Sequence, residues 1–319
     1  MIPKLRFEII PQELYVEFFP HEVLLPENNE KITTTAFISQ GLKKYGQKEL
    51  LTVMKDGTEA NEAVLQSVGM LVKTIHHFAS QGRLVDVGDF TQFGQNDMFG
   101  WKGIVYADAE EVSQIPMDEP GLVMLFLSLE EVQAVQNYGA LRILSMLGKK
   151  YRYYPNPYWN ELDRSHLPIQ KMMERSLLSR IGGRLALNTS HVTLHNDQIT
   201  LQVPKSLKFT LPPQGLPTDQ PLAILLGLNP AANGCLTFAF DDHEMGPEAI
   251  TPPNSNGSYI GGCVMVIGAG QPSYSASINE DGFALLFTDN QWGDLWQAFE
   301  NRQDFEVPAT SMSFKLTFF

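Results

Sequence analysis

The sequence predicts an α+β fold, made of two mixed or antiparallel sheet-plus-helix units packed as one module. Three observations carry this expectation. Short runs of alternating hydropathy, bounded by glycine and proline, recur along the whole chain and read as strands. A few longer stretches place apolar residues at helical spacing. In both halves a two-strand unit runs directly into a helix, at Ile32–Ser80 and at Tyr259–Asn301, as an old duplication would leave it. With 319 residues, 43% hydrophobic and 18% charged, the chain can bury a substantial core.

Leu5-Arg-Phe-Glu-Ile-Ile10 and Glu13-Leu-Tyr-Val-Glu-Phe18 alternate as short strands around Pro11. Ile32 to Gln40 and Lys48 to Met54 form a strand pair around Gly41-Leu-Lys-Lys-Tyr-Gly46. A helix from about Glu59 to Ser80 follows, with Val64, Leu65, Val68, Leu71, Val72, Ile75 and Phe78 on its apolar face, and Gln81-Gly82 ends it. Strands are expected at Gly103–Tyr106 and Leu122–Leu127, one helix from about Leu129 to Leu147 ended by Gly148, and a strand at Tyr151–Pro155. The second half opens with a helix from about Leu167 to Arg180. Strands then follow at Arg184–Leu187, His191–His195, Ile199–Val203, Leu222–Leu226, Cys235–Phe240, Tyr259–Ile267, Ser273–Ile278 and Phe283–Thr288. A helix from about Asn290 to Asn301 and a strand at Ser311–Phe318 finish the chain. The subdomains are expected at 1–160 and 161–319, with a connection at 207–221 that holds four prolines.

Nothing near Met1 has the apolar core of a signal peptide, and the longest apolar runs are too short to span a bilayer. A cytoplasmic location is expected. Cys235 and Cys263 each lie in an apolar strand pattern and read as small core residues. The formal net charge is −13, and from Phe209 to Asn301 there are ten Asp and Glu and no Lys or Arg. That half lacks the cations a phosphate backbone requires, so nucleic acid is excluded as its partner. Anionic membrane surfaces are disfavoured for the same reason. Such a surface keeps a protein soluble, and it also suits a basic partner. The acids expected on it are Asp241, Asp242, Glu244, Asp289 and Asp294.

No catalytic constellation stands out. Asp241-Asp-His-Glu244 has hard-metal ligand types, but neighbouring residues point in different directions and no second cluster supports them. It reads as a solvated loop, with a metal-dependent hydrolase as the reading it would otherwise serve. His191 and His195 lie in a strand, where four residues span roughly 13 Å, too far to share one ion. Gly268-Ala-Gly-Gln-Pro-Ser273 lacks the Lys-Ser/Thr of a phosphate loop and reads as a turn. No cofactor and no metal is expected. One stretch is unusual: Tyr151-Arg-Tyr-Tyr-Pro-Asn-Pro-Tyr-Trp159 packs five aromatics, two prolines and an arginine into nine residues. Tyr, Trp and Arg are the residues that most often carry interface energy. Tyr151, Arg152, Tyr153, Tyr154, Tyr158 and Trp159 are therefore the candidate partner-binding residues, and a protein is the expected partner.

Leu144-Ser-Met-Leu-Gly-Lys-Lys-Tyr-Arg-Tyr-Tyr-Pro-Asn-Pro157 resembles the C-terminal domain of Smad anchor for receptor activation and endofin, where a helix ends in Leu-Gly before an Arg-aromatic-Tyr-Pro-x-Pro segment. Gln40-Gly-Leu-Lys-Lys-Tyr-Gly-Gln-Lys-Glu49 resembles that family's Gly-x-x-x-x-Gly-x-x-Glu segment, and Glu280-Asp-Gly-Phe283 its closing unit. The resemblance spans about Ile32 to Phe305. It implies a non-enzymatic protein-interaction domain, without the zinc finger or Smad-binding segment of those proteins. The opening motif is more loosely similar to the suppressor-of-fused superfamily. Its single-domain bacterial members include proposed immunity proteins, which would use an acidic face against a basic toxin. Fold resemblance does not by itself give function.

Overall fold

A computed structural model describes residues 5–25, 28–55, 62–94, 97–153, 155–170, 183–187, 190–208, 222–226, 235–239, 248–250, 259–261, 264–279 and 282–319. The fold is α+β with several separate sheets. Its internal contacts divide the chain into two compact units, Met1–Leu167 and Pro168–Phe319.

The first unit is built on a seven-stranded sheet in the order β1-β2-β3-β4-β7-β6-β5. Its strands are β1 (Leu5–Ile10), β2 (Leu14–Leu24), β3 (Lys31–Gln40), β4 (Glu49–Lys55), β5 (Phe90–Gln92), β6 (Gly103–Asp108) and β7 (Gly121–Leu127). The pairing is antiparallel except where β4 meets β7. Pro11 and Gln12, the latter at φ 60°, turn β1 into β2, and Glu13 N–H donates to Ile10 O at 3.1 Å. Helix α1 (Glu62–Ser80) lays Val64, Val68, Leu71, Val72 and Ile75 against Leu14, Phe37, Leu50 and Met124 of the sheet. Gly82 ends it at φ 77°, and Arg83 N–H donates back to Phe78 O.

Between β3 and β4 the chain makes a sharp loop that explains the spacing Gly41-x-x-x-x-Gly46-x-x-Glu49. Gly41 sits at φ 120°, and a Cβ there would lie 2.2 Å from the Glu13 carbonyl oxygen. Gly46, at φ 79°, ends the single 3₁₀ turn Lys43–Tyr45. Glu49 is buried, and its Oε1 accepts the backbone N–H groups of Gly41, Leu42 and Lys43 at 3.0, 2.9 and 3.2 Å. Its other oxygen takes the Ser39 hydroxyl, whose own oxygen accepts Leu50 N–H. Three N–H groups converging on one point form the kind of cradle that binds anions. Here the chain's own carboxylate fills it.

The helix expected from Leu129 to Leu147 is two helices, α2 being the short Ala109–Val112 turn before them. Helix α3 (Leu129–Tyr138) stops at Gly139, which adopts φ 88°, and α4 (Ala140–Tyr151) begins at the next residue. Gly148, expected to end the helix, is buried within it, where the absence of a side chain suits close packing. Of the run expected as a strand from Tyr151 to Pro155, Tyr151 is instead the last residue of α4 and Arg152 begins the turn that follows. Short strands without alternation, such as β5, were not expected.

The second unit's described strands are β8 (Gly183–Leu187), β9 (His191–His195), β10 (Gln198–Val203), β11 (Leu222–Leu226), β12 (Cys235–Ala239), β13 (Glu248–Ile250), β14 (Tyr259–Gly261), β15 (Val264–Gly268), β16 (Ser275–Asn279), β17 (Gly282–Leu286), β18 (Phe305–Val307) and β19 (Ser313–Phe318). They form sheets in the orders β16-β17-β15-β11-β8, β18-β19-β10-β9 and β13-β12-β14. The run expected as one strand from Tyr259 to Ile267 is two, β14 and β15. Leu201, Ile224, Met265, Phe283, Leu285, Phe287 and Phe314 share its core with Trp292, Leu295 and Phe299 of helix α5 (Asp289–Asn301). Thr288 and Gln291 cap α5 reciprocally. Gly268 to Ser273 is the expected turn, with Phe287 N–H donating to Gly268 O at 2.8 Å. The helix expected from about Leu167 to Arg180 lies mostly outside the described residues. No helix among the described residues is long and apolar enough to cross a membrane.

Candidate interaction site

The aromatic stretch begins where α4 ends. Arg152 takes the left-handed conformation, at φ 49°, and Tyr153 N–H donates to Gly148 O at 3.0 Å. This is the bonding that Gly82 provides after α1. It reverses the chain and sends Tyr153 inward, leaving Arg152 exposed.

Burial then divides the candidate residues. Tyr153, Tyr158 and Trp159 are 6%, 0% and 2% exposed. Their rings meet edge to face, with Tyr153–Trp159 centroids at 5.1 Å and Tyr158–Trp159 at 5.7 Å. These three are core residues, which corrects the expectation that they form a recognition surface. The cause is the left-handed turn at Arg152, which replaces the strand that would have sent alternate rings outward. Tyr151 is half-buried against Trp159. Tyr154 lies outside the described residues. Burial raises the phenol pKa of Tyr151, Tyr153 and Tyr158.

The buried phenols are tied to the first strands and to the segment after α2. Tyr158 OH lies 2.9 Å from Nε2 of His21, whose half-buried ring titrates below the usual histidine value because of desolvation. Tyr153 OH donates to Val112 O at 3.2 Å. Gln114 bridges the same region, donating to Leu24 O at 2.7 Å and accepting from Leu24 N–H at 3.1 Å.

Next along the chain is Asn160, which sequence reasoning passed over. Strands β4 and β7 pair in parallel only at Glu49–Gly121, Leu50–Leu122 and Leu51–Val123. Beyond that point Asn160 stands between them. Its backbone continues the ladder on β4, donating to Val53 O at 2.7 Å and accepting from Lys55 N–H at 2.9 Å. Its carboxamide serves β7, where Phe126 N–H donates to Oδ1 at 2.7 Å and Nδ2 donates to Met124 O at 2.9 Å. Asparagine is suited to this because its side-chain amide presents the donor and acceptor of a peptide group. Asn160 acts as a strand one residue long. Replacing it with alanine leaves Phe126 N–H and Met124 O without these partners, and should destabilise the unit by about 2–3 kcal/mol. Urea denaturation would read the loss, and a wild-type midpoint would refute the bridging role.

The segment is fastened once more at Glu131 and Arg164, whose side chains are 0% and 6% exposed. The guanidinium engages both carboxylate oxygens, at 2.8 and 2.6 Å, and donates to Phe126 O at 2.9 Å. It lies 4.3 Å from the centre of the Trp101 ring. Glu131 also closes the cap of α3 through Ser128 N–H and accepts Leu167 N–H at 2.8 Å. Burial opposes ionisation of Glu131, but Arg164 and the two N–H donors outweigh it and hold the carboxyl below its usual value.

Of the expected acidic face, Asp289 and Asp294 are exposed on α5, and Asp241, Asp242 and Glu244 lie outside the described residues. Among the described residues no group of three or more His, Cys, Asp or Glu is placed to hold a metal.

No protein-family model matches the chain, and no curated protein matches it. Among solved structures it is similar to one described as the Sufu-Fu complex, at TM-score 0.42 and 11% identity over 55% of this chain and 87% of that one. It is also similar to Drosophila Suppressor of Fused, at TM-score 0.37 and 9% identity over 95% of this chain and 88% of that one.

Proposed function

We propose that the chain is a non-enzymatic protein-interaction module of the receptor-activation-anchor type, with recognition centred on Arg152 beside the half-buried Tyr151. The observation that carries this reading is the left-handed arginine. A residue with a side chain costs about 1–2 kcal/mol in that conformation, and glycine avoids the cost. Helix α1 ends on glycine at the equivalent place. Helix α5 also ends on a left-handed arginine, Arg302, whose guanidinium donates to Leu207 O at 2.9 Å. Arg152 is exposed, on a foundation made rigid by Tyr153, Tyr158 and Trp159. A cation fixed on an unyielding base is the arrangement expected of an interface anchor.

Arg152→Gly separates this role from a structural one. The variant should melt at or slightly above the wild-type temperature and should lose the proteins that co-purify with the tagged wild-type chain. An unchanged set of partners on the glycine variant would refute the assignment. Trp159→Ala is unsuitable for the purpose, since removing so large a buried ring costs about 3–5 kcal/mol.

A second reading rests on α5, which exposes Asp289, Asp294 and Glu300 while burying Trp292, Leu295 and Phe299. An acidic helical face would suit a basic protein, as in an immunity protein against a toxin. Asp289→Lys with Asp294→Lys would then abolish capture while Arg152→Gly preserved it.

A further inference from the structure

The outer edge of the seven-stranded sheet at β1 is unpaired among the described residues. Unpaired strand edges template further pairing, and natural proteins blunt them with charged side chains, prolines, bulges or covering segments. β1 has a register shift after Glu8, but from Leu5 to Glu8 its ladder is regular, its two charges are of opposite sign, and no described strand pairs with its outer edge. Leu5 is 58% exposed, and the side chains of Arg6 and Glu8 are 48% and 52% exposed. Phe7 and Ile9 rest against Gly69 of α1. One face of the strand is thus apolar, and the other carries one charge of each sign.

The order of these residues decides what fits the edge. Leu5-Arg-Phe-Glu-Ile9 has the same pattern of apolar and charged positions read from either end, with the sign of the charge inverted. If a second β1 lies antiparallel to the first with Phe7 opposite Phe7, the two-fold axis places Leu5 opposite Ile9. It also sets Arg6 opposite Glu8, and Glu8 opposite Arg6. Both cross-strand ion pairs are attractive, and all three apolar contacts fall on the same face. Directly opposed side chains are the pairs that stabilise antiparallel strands, and like charges there are destabilising. Moving the register by one residue would put apolar positions against charged ones. The β1–β2 ladder is regular from Leu5 to Glu8 and shifts between Glu8 and Ile10, so Phe7 and both charged positions lie in its regular part and Ile9 at its end.

We infer that the chain forms a two-fold symmetric dimer in which β1 pairs with β1 of a second copy, joining two sheets edge to edge. This surface is separate from Arg152, so the dimer stands or falls independently of the proposed partner site.

The test is sedimentation velocity on the full chain from micromolar to near-millimolar concentration. Wild type should pass from monomer to dimer over this range. Arg6→Glu and Glu8→Arg each convert both cross-strand pairs into like-charge contacts, and should weaken association about tenfold or more. The double variant R6E/E8R should restore it. A mixture of the two single variants should associate where neither does alone, because each supplies the charges the other lacks. Thermal melts run alongside separate association from folding: Arg6 lies 3.4 Å from the centre of the Tyr15 ring and opposite Glu17 of β2, so Arg6→Glu should melt somewhat lower and Glu8→Arg closer to wild type. A wild-type chain that stays monomeric throughout overturns the inference. So does a dimer indifferent to the single reversals, which would place the contact on another face.

Discussion

Replacing Arg164 with methionine is expected to destabilise the first unit by about 3–5 kcal/mol at neutral pH, because it leaves a buried carboxylate without its cation. Glu131 would keep only the N–H groups of Ser128 and Leu167. The loss should depend on pH in a direction that identifies its cause. In the wild type the folded carboxyl titrates below its unfolded value, so the pair contributes stability above the unfolded value and loses it as pH falls through the folded one. Without Arg164, burial dominates and the carboxyl takes up a proton more readily, so the gap between variant and wild type should narrow on acidification. Glu131→Gln in the methionine background should recover part of the loss, since no charge is then buried. Urea unfolding at neutral and acidic pH measures all three chains, and a gap constant with pH would exclude the charge as the cause.

Glu49→Ala should be comparably damaging, at about 3–5 kcal/mol, because three backbone N–H groups and a hydroxyl lose their common acceptor. Glu49→Gln should cost much less, since its amide oxygen still serves the N–H groups. Adding formate or acetate should partly restore the alanine variant, because the emptied cradle fits a small carboxylate. A thermal melt series in each anion, with chloride as control, reads this rescue. An alanine variant with wild-type stability would show that the loop forms without its carboxylate.

Much of the fold was legible because alternation and helical spacing are local. β1, β3, β4, β7 and α1 lie where their residues place them. The break at Gly139 was hidden because apolar spacing runs on through the glycine, and only the backbone angle stops the helix. The aromatic stretch was conspicuous but misjudged, because composition does not say which way a chain turns and a left-handed arginine turned it inward. Asn160 gave no signal at all, since its importance comes from a gap between two strands that are distant in sequence. Glu49 showed as a motif, and its purpose appeared only when three N–H groups were found around it.

The insertion of Asn160 between β4 and β7 also bears on the order of assembly. Asn160 lies 107 residues from its partner Val53, and such long loops are slow to close. On a ribosome, the sheet would have β1 to β7 in hand and still hold a gap between the far ends of β4 and β7 until the residues after α4 emerged. The opening exposes Val53, Met124 and Phe126, positions that would adhere to any passing strand. A nascent chain would therefore be most open to mispairing within the first unit just before Asn160 emerges.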